Sequence, residues 1–483
     1  MKKKGSIISL FCLLIAPILR GQQTTRLTLP QVVEMARNQS ISARQAATTK
    51  ETKYWEYRSF KSNYKPQLTL SSNFPAFNRS FQQVIQPDGT VVFQPIRNNN
   101  SSVGLSLSQN ISRTGGSIYA QTQVQRFDDF DRKNTLYNGT LFAIGISQPL
   151  FKFNNFKWEN RIEPLKYNES QQEYLEALEL ISLKANQYYF DLLLAQVNLK
   201  ISETNLANTI TILKIANEKF DIGKNSRNEL LQLQLENLKA QKAVATAKRD
   251  VEISTLNLKA FTGLQNDDKL ELIEIVPQAP PSVSAEKLLK EAFDNRSDAI
   301  SFSRRLLEAE RNVAKAKGDN GLNATLTANL GFSSRGGTLG DLAKNPQNQQ
   351  LVLIEFDIPI LDWGRSQSRM KTAEANRQLT VYSIEQDKQT FKQQIYTEVT
   401  LFDMLKNQLE LTAKADAIAS EKYQIAQDRY VLGNLSITDL SIAFSEKDQA
   451  KRDFIGALRD YWTAYYRLRW LTLFDFEKGE KIK

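Results

Sequence analysis

The residue types that most often carry out chemistry in proteins are nearly absent from this sequence. It contains no histidine and a single cysteine, Cys12. Zinc sites of the Cys/His type and Ser-His-Asp triads are therefore excluded, as are disulfide scaffolds and Cys-His nucleophiles once the segment that contains Cys12 is removed. Carboxylate, hydroxyl, lysine and arginine side chains remain, but they form no catalytic constellation. We expect no enzyme, no cofactor and no metal site.

Three short motifs could still bind a ligand. The acidic run 128–131 (Asp-Asp-Phe-Asp) supplies oxygen ligands of the kind that divalent cations prefer, although an exposed loop explains it more simply. The glycine-rich segments 112–117 and 334–340 lack the Lys-Ser/Thr pair of a phosphate loop, so we interpret both as turns. The formal net charge of +10 falls to +6 without the four basic residues before residue 22, which is too dilute for a nucleic-acid-binding protein.

The first 21 residues have the layout of an export signal. Lys2–Lys4 is its charged region, Ile7–Ile18 is apolar, and Gly21 is a small residue at a plausible cleavage point. The apolar run is too short for a comfortable membrane-spanning helix, and no other stretch approaches 18 uncharged apolar residues. We expect an exported chain that starts at Gln22 and that crosses a membrane, if it does so, as β-strands.

The remaining sequence repeats itself. FDIGKNS at 220–226 recurs as YVLGNLS at 430–436, an offset of 210 residues, whereas LTLSSN at 68–73 matches ATLTAN at 324–329, an offset of 256. The difference predicts a 46-residue insertion between the first strand and Pro149. A duplicated architecture follows.

The repeats define the domain organisation. We place a signal peptide at 1–21, the first repeat at 22–276, a proline-rich linker at 277–283 and the second repeat at 284–483. Each repeat is predicted to contain a helix, a set of strands, a long helix, a tip turn and a return helix. The strands are expected at about 66–148 in the first repeat and about 322–358 in the second.

Apolar residues in the long helices alternate at spacings of three and four. In the first repeat this seam runs from Tyr174 through Leu178 and Ile181 to Leu199, which is typical of a left-handed coiled coil. Stacked end to end, the helix after Gly223 and the helix predicted at 284–317 match the first long helix in length. The helix predicted at 30–63 and the helix after Gly433 likewise match the second long helix. The sequence therefore predicts a rod of about 100 Å, at 1.5 Å per helical residue, with tight turns at Gly223 and Gly433.

The predicted strands alternate apolar and polar side chains with a period of two. Leu68 and Leu70 face opposite to Thr69 and Ser71, and similar alternation marks 103–111, 118–124, 324–332 and 352–358. Such strands suit either a membrane β-barrel around a wet lumen or a soluble sandwich with one solvated face. The export signal and the rod favour the barrel.

A single copy has too few strands to close a membrane barrel, which needs about eight. The copies must pool their strands, so we expect a cyclic homo-oligomer. The 46 extra residues form either a large outer loop, giving four strands per copy, or a further hairpin that turns at 113–116, giving six. We prefer four.

These features together resemble the TolC-like outer-membrane efflux family. The resemblance covers the whole mature chain and is carried by LTLPQVVEMARNQS at 27–40, SQPLF at 147–151, DIPILDWG at 357–364 and the two tip segments. It implies a homotrimer with an outer-membrane β-barrel, continued by a periplasmic α-helical barrel. The implied role is an exit duct that works with a periplasmic adaptor protein and an inner-membrane pump in the outer membrane of a Gram-negative-type cell, with outer-membrane lipid around the barrel.

The resemblance also assigns roles to particular residues. The tip turns of the family contact the adaptor and close the aperture, and barrel-to-coil joints connect the two parts of the molecule. The adaptor-contacting positions would here be Ile222, Gly223, Lys224, Asn225, Ser226, Leu432, Gly433, Asn434, Leu435 and Ser436. The joints would be Pro149, Pro359, Trp363 and Gly364, and the aperture residues Asp439, Glu229 and Tyr430.

Asp439 matches the constricting carboxylate of the family, six residues after the second tip glycine. A second carboxylate of some members is replaced by Ile442 and an arginine by Leu435, so the family's detailed latch does not carry over. Three copies of Asp439 around a narrow axis would attract cations and make the closed state dependent on pH. The simpler interpretation is a solvated acid near a helix start.

A second function is compatible with the same pattern. The chain could be a non-conducting periplasmic coiled-coil protein with a structural or adhesive role. The two hypotheses differ in whether the alternating segments enter a membrane.

Overall fold

The computed structural model describes residues 24–223, 226–264, 269–275, 284–432 and 434–483. The predicted signal peptide at 1–21, the linker at 277–283 and the tip residues Lys224, Asn225 and Gly433 lie outside the described residues. The first half contains β1 (Thr24–Leu27), α1 (Leu29–Gln39), α2 (Ile41–Ser62), β2 (Gln67–Asn73), β3 (Phe77–Ile85), β4 (Val91–Asn110), β5 (Ser117–Asp129), β6 (Asn134–Leu150), α3 (Asn155–Asp221) and α4 (Arg227–Thr262). It ends with β7 (Lys269–Leu272). The second half contains α5 (Ala285–Asn295), α6 (Ser297–Asp319), β8 (Asn323–Gly336), β9 (Gln347–Asp357), α7 (Arg365–Val431), α8 (Ile437–Thr472), β10 (Phe474–Asp475) and β11 (Glu480–Lys481).

Apart from the extra strands β3–β5 of the first half and the short strands β1, β7, β10 and β11, the two halves match element by element, which confirms the duplication. The long helices α3 and α7 each have 67 residues, and the return helices α4 and α8 each have 36. At 1.5 Å per residue each long helix spans about 100 Å, as the rod prediction requires.

Each half opens with two helices where the sequence predicted one. Ser40 has extended backbone (φ −62°, ψ 151°), which ends α1, and its side chain then accepts a hydrogen bond from the Ala43 N–H that caps α2. Arg296 is likewise extended and separates α5 from α6. The predicted continuous helices over 30–63 and 284–317 are therefore wrong at one residue each.

Two antiparallel coils form the rod, α3 with α4 and α7 with α8, and α3 packs against α8 between them. The predicted seam is buried at Leu178, Ile181 and Ala185. Above the coils α6 contacts both α3 and α7, whereas α1 and α2 pack on α3. The predicted helix at 30–63 was expected to lie along the second long helix, α7. In the described part of one copy, its counterparts α1 and α2 instead pack on α3.

One antiparallel sheet lies at one end of the rod. Its order is β2-β4-β5-β6-β8-β9, and β3 continues the line of β2 along the outer half of β4. The sheet is thus six strands wide, so the 46 extra residues form the alternative hairpin and the preferred outer loop is wrong. It turns at 111–116, where the Ile111 N–H donates to Gly116 O over 2.8 Å and Gly115 adopts φ +80°.

The main apolar core lies at the middle of the rod. It joins α1, α3, α5, α7 and α8 with the parallel pair β1–β7 and the C-terminal segment. Buried Glu179 pairs there with Arg469 (Nε to Oε2, 3.1 Å) and with Arg37 (Nη1 to Oε1, 2.5 Å). This core and its ion pairs hold the two coils side by side. They therefore set the position of the sheet at one end of the rod and of the tips at the other.

Candidate functional site

The sheet sorts its side chains by polarity onto two faces. Residues directly opposite in antiparallel strands share a face, and Leu70 lies opposite Leu105, Ala120 opposite Ile144, and Ala328 opposite Val352. The apolar face comprises Leu68, Leu70, Val103, Leu105, Leu107, Ile118, Ala120, Val124, Ile144, Ile146, Ala328, Leu330, Val352 and Ile354. Many of these side chains are exposed. An exposed apolar band of this extent is suited to lipid rather than water.

The other face of the sheet is polar. It carries Ser71, Ser106, Gln121, Gln123, Ser147, Thr327, Asn329 and Glu355. A sheet with an apolar outside and a polar inside is the surface that a water-filled membrane conduit requires.

The first tip turn joins α3 to α4. Ile222 ends α3 and is exposed, and Gly223 adopts φ +73°, a conformation that strains any residue with a Cβ atom. The Gly223 N–H donates to Phe220 O over 2.9 Å. Ser226 precedes the first residue of α4. The chain therefore reverses at the predicted position.

The second tip turn joins α7 to α8. The Leu432 N–H donates to Asp428 O (3.2 Å), and the Asn434 N–H donates to Arg429 O (2.9 Å). Leu432 is exposed, whereas Leu435 packs against the small apolar cluster of Ala426, Leu440 and Ala443. Both turns lie at the end of the rod opposite to the sheet.

Asp439 lies in the first turn of α8 and is exposed. The Asp439 N–H donates to Ser436 Oγ (3.1 Å), and the Ser436 hydroxyl donates to Asp439 Oδ2 (2.6 Å). This is the geometry of a helix N-cap, so Asp439 has a local structural role within a single copy. Glu229 and Tyr430 lie within α4 and α7 near the same end, and their side chains are outside the described part of the molecule.

The predicted joints lie where the sheet meets the long helices. Pro149 is in β6 opposite Thr325, and Pro359 follows β9. Trp363 (φ +55°, 90% exposed) and Gly364 (φ +81°) precede α7. Their backbone turn brings the chain from strand to helix.

Asp362 holds the second joint, a role that we did not assign from the sequence. Its Oδ2 accepts from the Ser366 N–H (2.8 Å) and its Oδ1 from the Gly364 N–H (3.1 Å), which caps α7. Hydrogen bonds from the side chain and backbone of Ser366 lower the pKa of Asp362.

Polar contacts between the coils near the tips were also missed. Asn205 Nδ2 donates to Asp448 Oδ2 (2.9 Å), and Asn208 Nδ2 donates to the Tyr423 hydroxyl (3.3 Å). Burial raises the pKa of Tyr423, and the hydrogen bond from Asn208 opposes this shift. The available signal was Lys447, which stands at an apolar seam position beside Asp448.

Two exposed apolar stripes flank the rod. On α7, Met404, Leu411, Ile418 and Ile425 recur every seven residues, and each is at least half exposed. On α4 the exposed apolar residues are Leu231, Leu235, Leu238, Ile253 and Leu256. A heptad stripe of exposed apolar residues has the spacing of a coiled-coil seam.

Among the described residues, no group of three or more His, Cys, Asp or Glu side chains is placed to hold a metal ion. None of the helices in the described ranges combines the length and the apolar character needed to cross a bilayer.

Comparison with known proteins gives matches in both halves. The family model described as "Outer membrane efflux protein" matches residues 102–264 and again 288–472. The chain is 24% identical over 307 residues to "Probable outer membrane lipoprotein SilC" of Salmonella typhimurium, covering 62% of this chain and 64% of that protein. It is 23% identical over 272 residues to "Cation efflux system protein CusC" of Escherichia coli, covering 54% and 56%. The matches span about 60% of the length of these curated relatives.

Solved structures share the fold over nearly the whole chain. The CmeC outer membrane channel of Campylobacter jejuni superposes with a TM-score of 0.66 at 19% identity, over 100% of this chain and 95% of that one. The outer membrane protein VceC of Vibrio cholerae gives 0.65 at 15% identity, over 94% and 97%. None of these matches favours a non-conducting coiled-coil protein.

Proposed function

The chain belongs to the outer membrane efflux protein family, and from this premise we propose that it is the outer-membrane exit duct of a tripartite efflux or secretion system. It conducts substrates passively from an inner-membrane pump and its periplasmic adaptor across the periplasm and the outer membrane. The observation that best supports this function is the sheet, six strands wide, with one apolar face, one polar face and two unpaired edges. It is set on a rod of about 100 Å.

The functional unit is a homotrimer. Both edge strands and both helical stripes are left exposed by one copy, and a ring of copies covers them all at once. In this ring α4 of one copy packs against α7 of the next. The exported chain spans residues 22–276 and 284–483 as its two repeats, joined by the linker at 277–283.

The closed tip is the regulated part of the duct. Ile222–Ser226 and Leu432–Ser436 contact the helical hairpin of the adaptor, and Asp439 with Glu229 and Tyr430 lines the aperture. The apolar packing supports this assignment, because the large core lies at mid-rod while the described cluster near the second tip contains only three buried residues. Opening then exchanges weak contacts between coils for contacts with the adaptor, which shifts the population of the open state.

A photo-crosslinking amino acid at Asn434 tests this function in living cells. We expect a product with a periplasmic adaptor protein and, in cells that lack the chain, accumulation of the pump's substrate. The same probe at Asn138 in the sheet is the control and gives no adaptor product. Normal export without the chain, together with no adaptor product at Asn434, would contradict the proposal.

A further inference from the structure

The first half contributes twice as many strand positions to the sheet as the second. The sequence repeat aligns β2 with β8, and Pro149 at the end of β6 with Pro359 just after β9. The inserted residues therefore lie between β2 and β6. They form β3, β4 and β5.

The inserted strands belong to the body of the sheet. β4 and β5 pair continuously from Asn98–Asp129 to Asn110–Ser117, and β5 pairs with β6 over the same height. Their turn is anchored at the helical end of the sheet, because Asn154 Nδ2 donates to Ser112 O (3.0 Å). Gln148 Nε2 donates to Thr114 O (3.0 Å) in the same turn. The insertion is thus a full-height hairpin, not a loop above the membrane.

The inserted hairpin also continues the apolar band. Val103 lies opposite Val124, and Leu107 lies opposite both Leu68 and Ala120. A hairpin that folded away from a membrane ring would expose this band to water, at about 25 cal/mol for each Å² of apolar surface. The band is uninterrupted from β2 to β9, so all six strands face the same medium.

The outer edges of this sheet are built to pair. Every residue of β2 and of β9 is exposed. Neither strand contains lysine or proline, which soluble proteins use to protect sheet edges, and their only charged residues are Glu355 and Asp357 at the helical end of β9. Six is an even number of antiparallel strands, so β9 runs antiparallel to β2 and can continue the ladder into the next copy.

We propose that each copy contributes all six strands to the ring, with β9 of one copy paired to β2 of the next, so that a trimer forms an eighteen-stranded barrel. This rests on the proposed function. Because barrel diameter grows roughly linearly with strand number, the ring is about 1.5-fold wider than a trimer with four strands per copy. A barrel of eighteen strands is wide enough to hold an aqueous channel without a filled core.

Disulfide formation between copies tests the pairing. Ile354→Cys in β9 is combined with Leu68→Cys or with Leu70→Cys in β2, all on the apolar face. The matched control combines Ile354→Cys with Ala120→Cys in β5, which becomes the edge strand if β2 and β4 are left out of a four-strand copy. The parent chain without added cysteines reports any product from Cys12.

The proposal predicts a covalent trimer for at least one of the β9–β2 pairs and none for the β9–β5 pair. Each preparation is also tested for ion conductance in a planar bilayer, which distinguishes a failure of the six-strand ring from a failure of the proposed function. A conducting protein that gives the β9–β5 product, or no β9–β2 product, overturns the six-strand ring and leaves the duct intact. A protein that neither forms trimers nor conducts contradicts the proposed function itself.

Discussion

Asn205 of α3 donates a 2.9 Å hydrogen bond from Nδ2 to Oδ2 of Asp448 on α8, across the interface between the two coils. Asp448 is only 3% exposed, and its Oδ1 accepts no hydrogen bond in the described part of the chain, although Lys447 Nζ lies 3.5 Å away. A buried carboxylate with so few partners depends strongly on each of them. The pair therefore acts as a polar clasp between the coils close to the tips.

Removing the clasp should loosen the tip. We expect Asn205→Leu to weaken the interface between α3 and α8 by about 2 kcal/mol, because it leaves the Asp448 carboxylate buried without its hydrogen-bond donor. The measurement is the open fraction in single-channel recordings, which should rise. Asn217→Leu, at an exposed position on the same helix, is the control and should leave it unchanged. An unchanged open fraction in Asn205→Leu would remove the clasp from gating.

The two roles of Asp439 can be separated by substitution. Asp439→Ala should reduce cation selectivity in bilayer recordings, since it removes three negative charges from the aperture of a trimer. Ser436→Ala keeps those charges but removes the cap of α8, which costs about 1 kcal/mol of helix stability. It should preserve selectivity and shorten the closed times. If Asp439→Ala kept full cation selectivity, Asp439 would only stabilise the first turn of α8 through its contact with Ser436.

The exposed stripe on α7 should control assembly. Burying a leucine contributes about 2 kcal/mol, so we expect Leu411→Asp to raise the concentration at which the trimer dissociates by at least about tenfold. Analytical ultracentrifugation in detergent measures this shift. Ala417→Asp adds the same charge at an exposed position about a quarter turn away from the stripe and should dissociate as the parent does. Equal dissociation of both variants would place the stripe outside the interface.

Glu398 should make stability depend on pH. Burial raises the pKa of Glu398, and the ion pair with Arg467 (Nε to Oε1, 2.8 Å) opposes the shift only in part. A carboxyl group whose pKa is raised by folding stabilises the protein below its unfolded pKa, and this contribution is lost as pH rises through the folded pKa.

Glu398→Gln should therefore gain thermal stability relative to the parent as pH rises from about 4, near the ordinary glutamate pKa, to 7. Arg467 is half exposed and remains hydrated in this variant. Thermal midpoints across this range provide the measurement, with the exposed Glu421→Gln as control. A constant difference between Glu398→Gln and the parent at all pH values would show that burial does not govern this group.

Repetition and periodicity made the helical rod predictable. Matching segments around Gly223 and Gly433 located both turns, and the three-four spacing through Leu178 and Ile181 located the coil seam, because these signals are local in sequence. The breaks at Ser40 and Arg296 were missed because neither a glycine nor a proline marks them, and a single extended residue suffices.

Strand number and the contacts between coils depend on how distant segments meet. β3 and the outer half of β4 are rich in Gln, Asn and Ser, so they lack the alternation that identified the other strands. Asn205 and Asp448 are 243 residues apart, and their contact depends on which faces of α3 and α8 meet. No single-residue pattern encodes that choice.

Single-channel conductance of the purified protein in a planar lipid bilayer tests the central claim most directly. We predict trimeric particles that insert into the bilayer and conduct ions, with an open fraction that rises when the hydrogen bond between Asn205 and Asp448 is removed. A protein that remains monomeric, stays in solution in the presence of lipid and carries no current would contradict it.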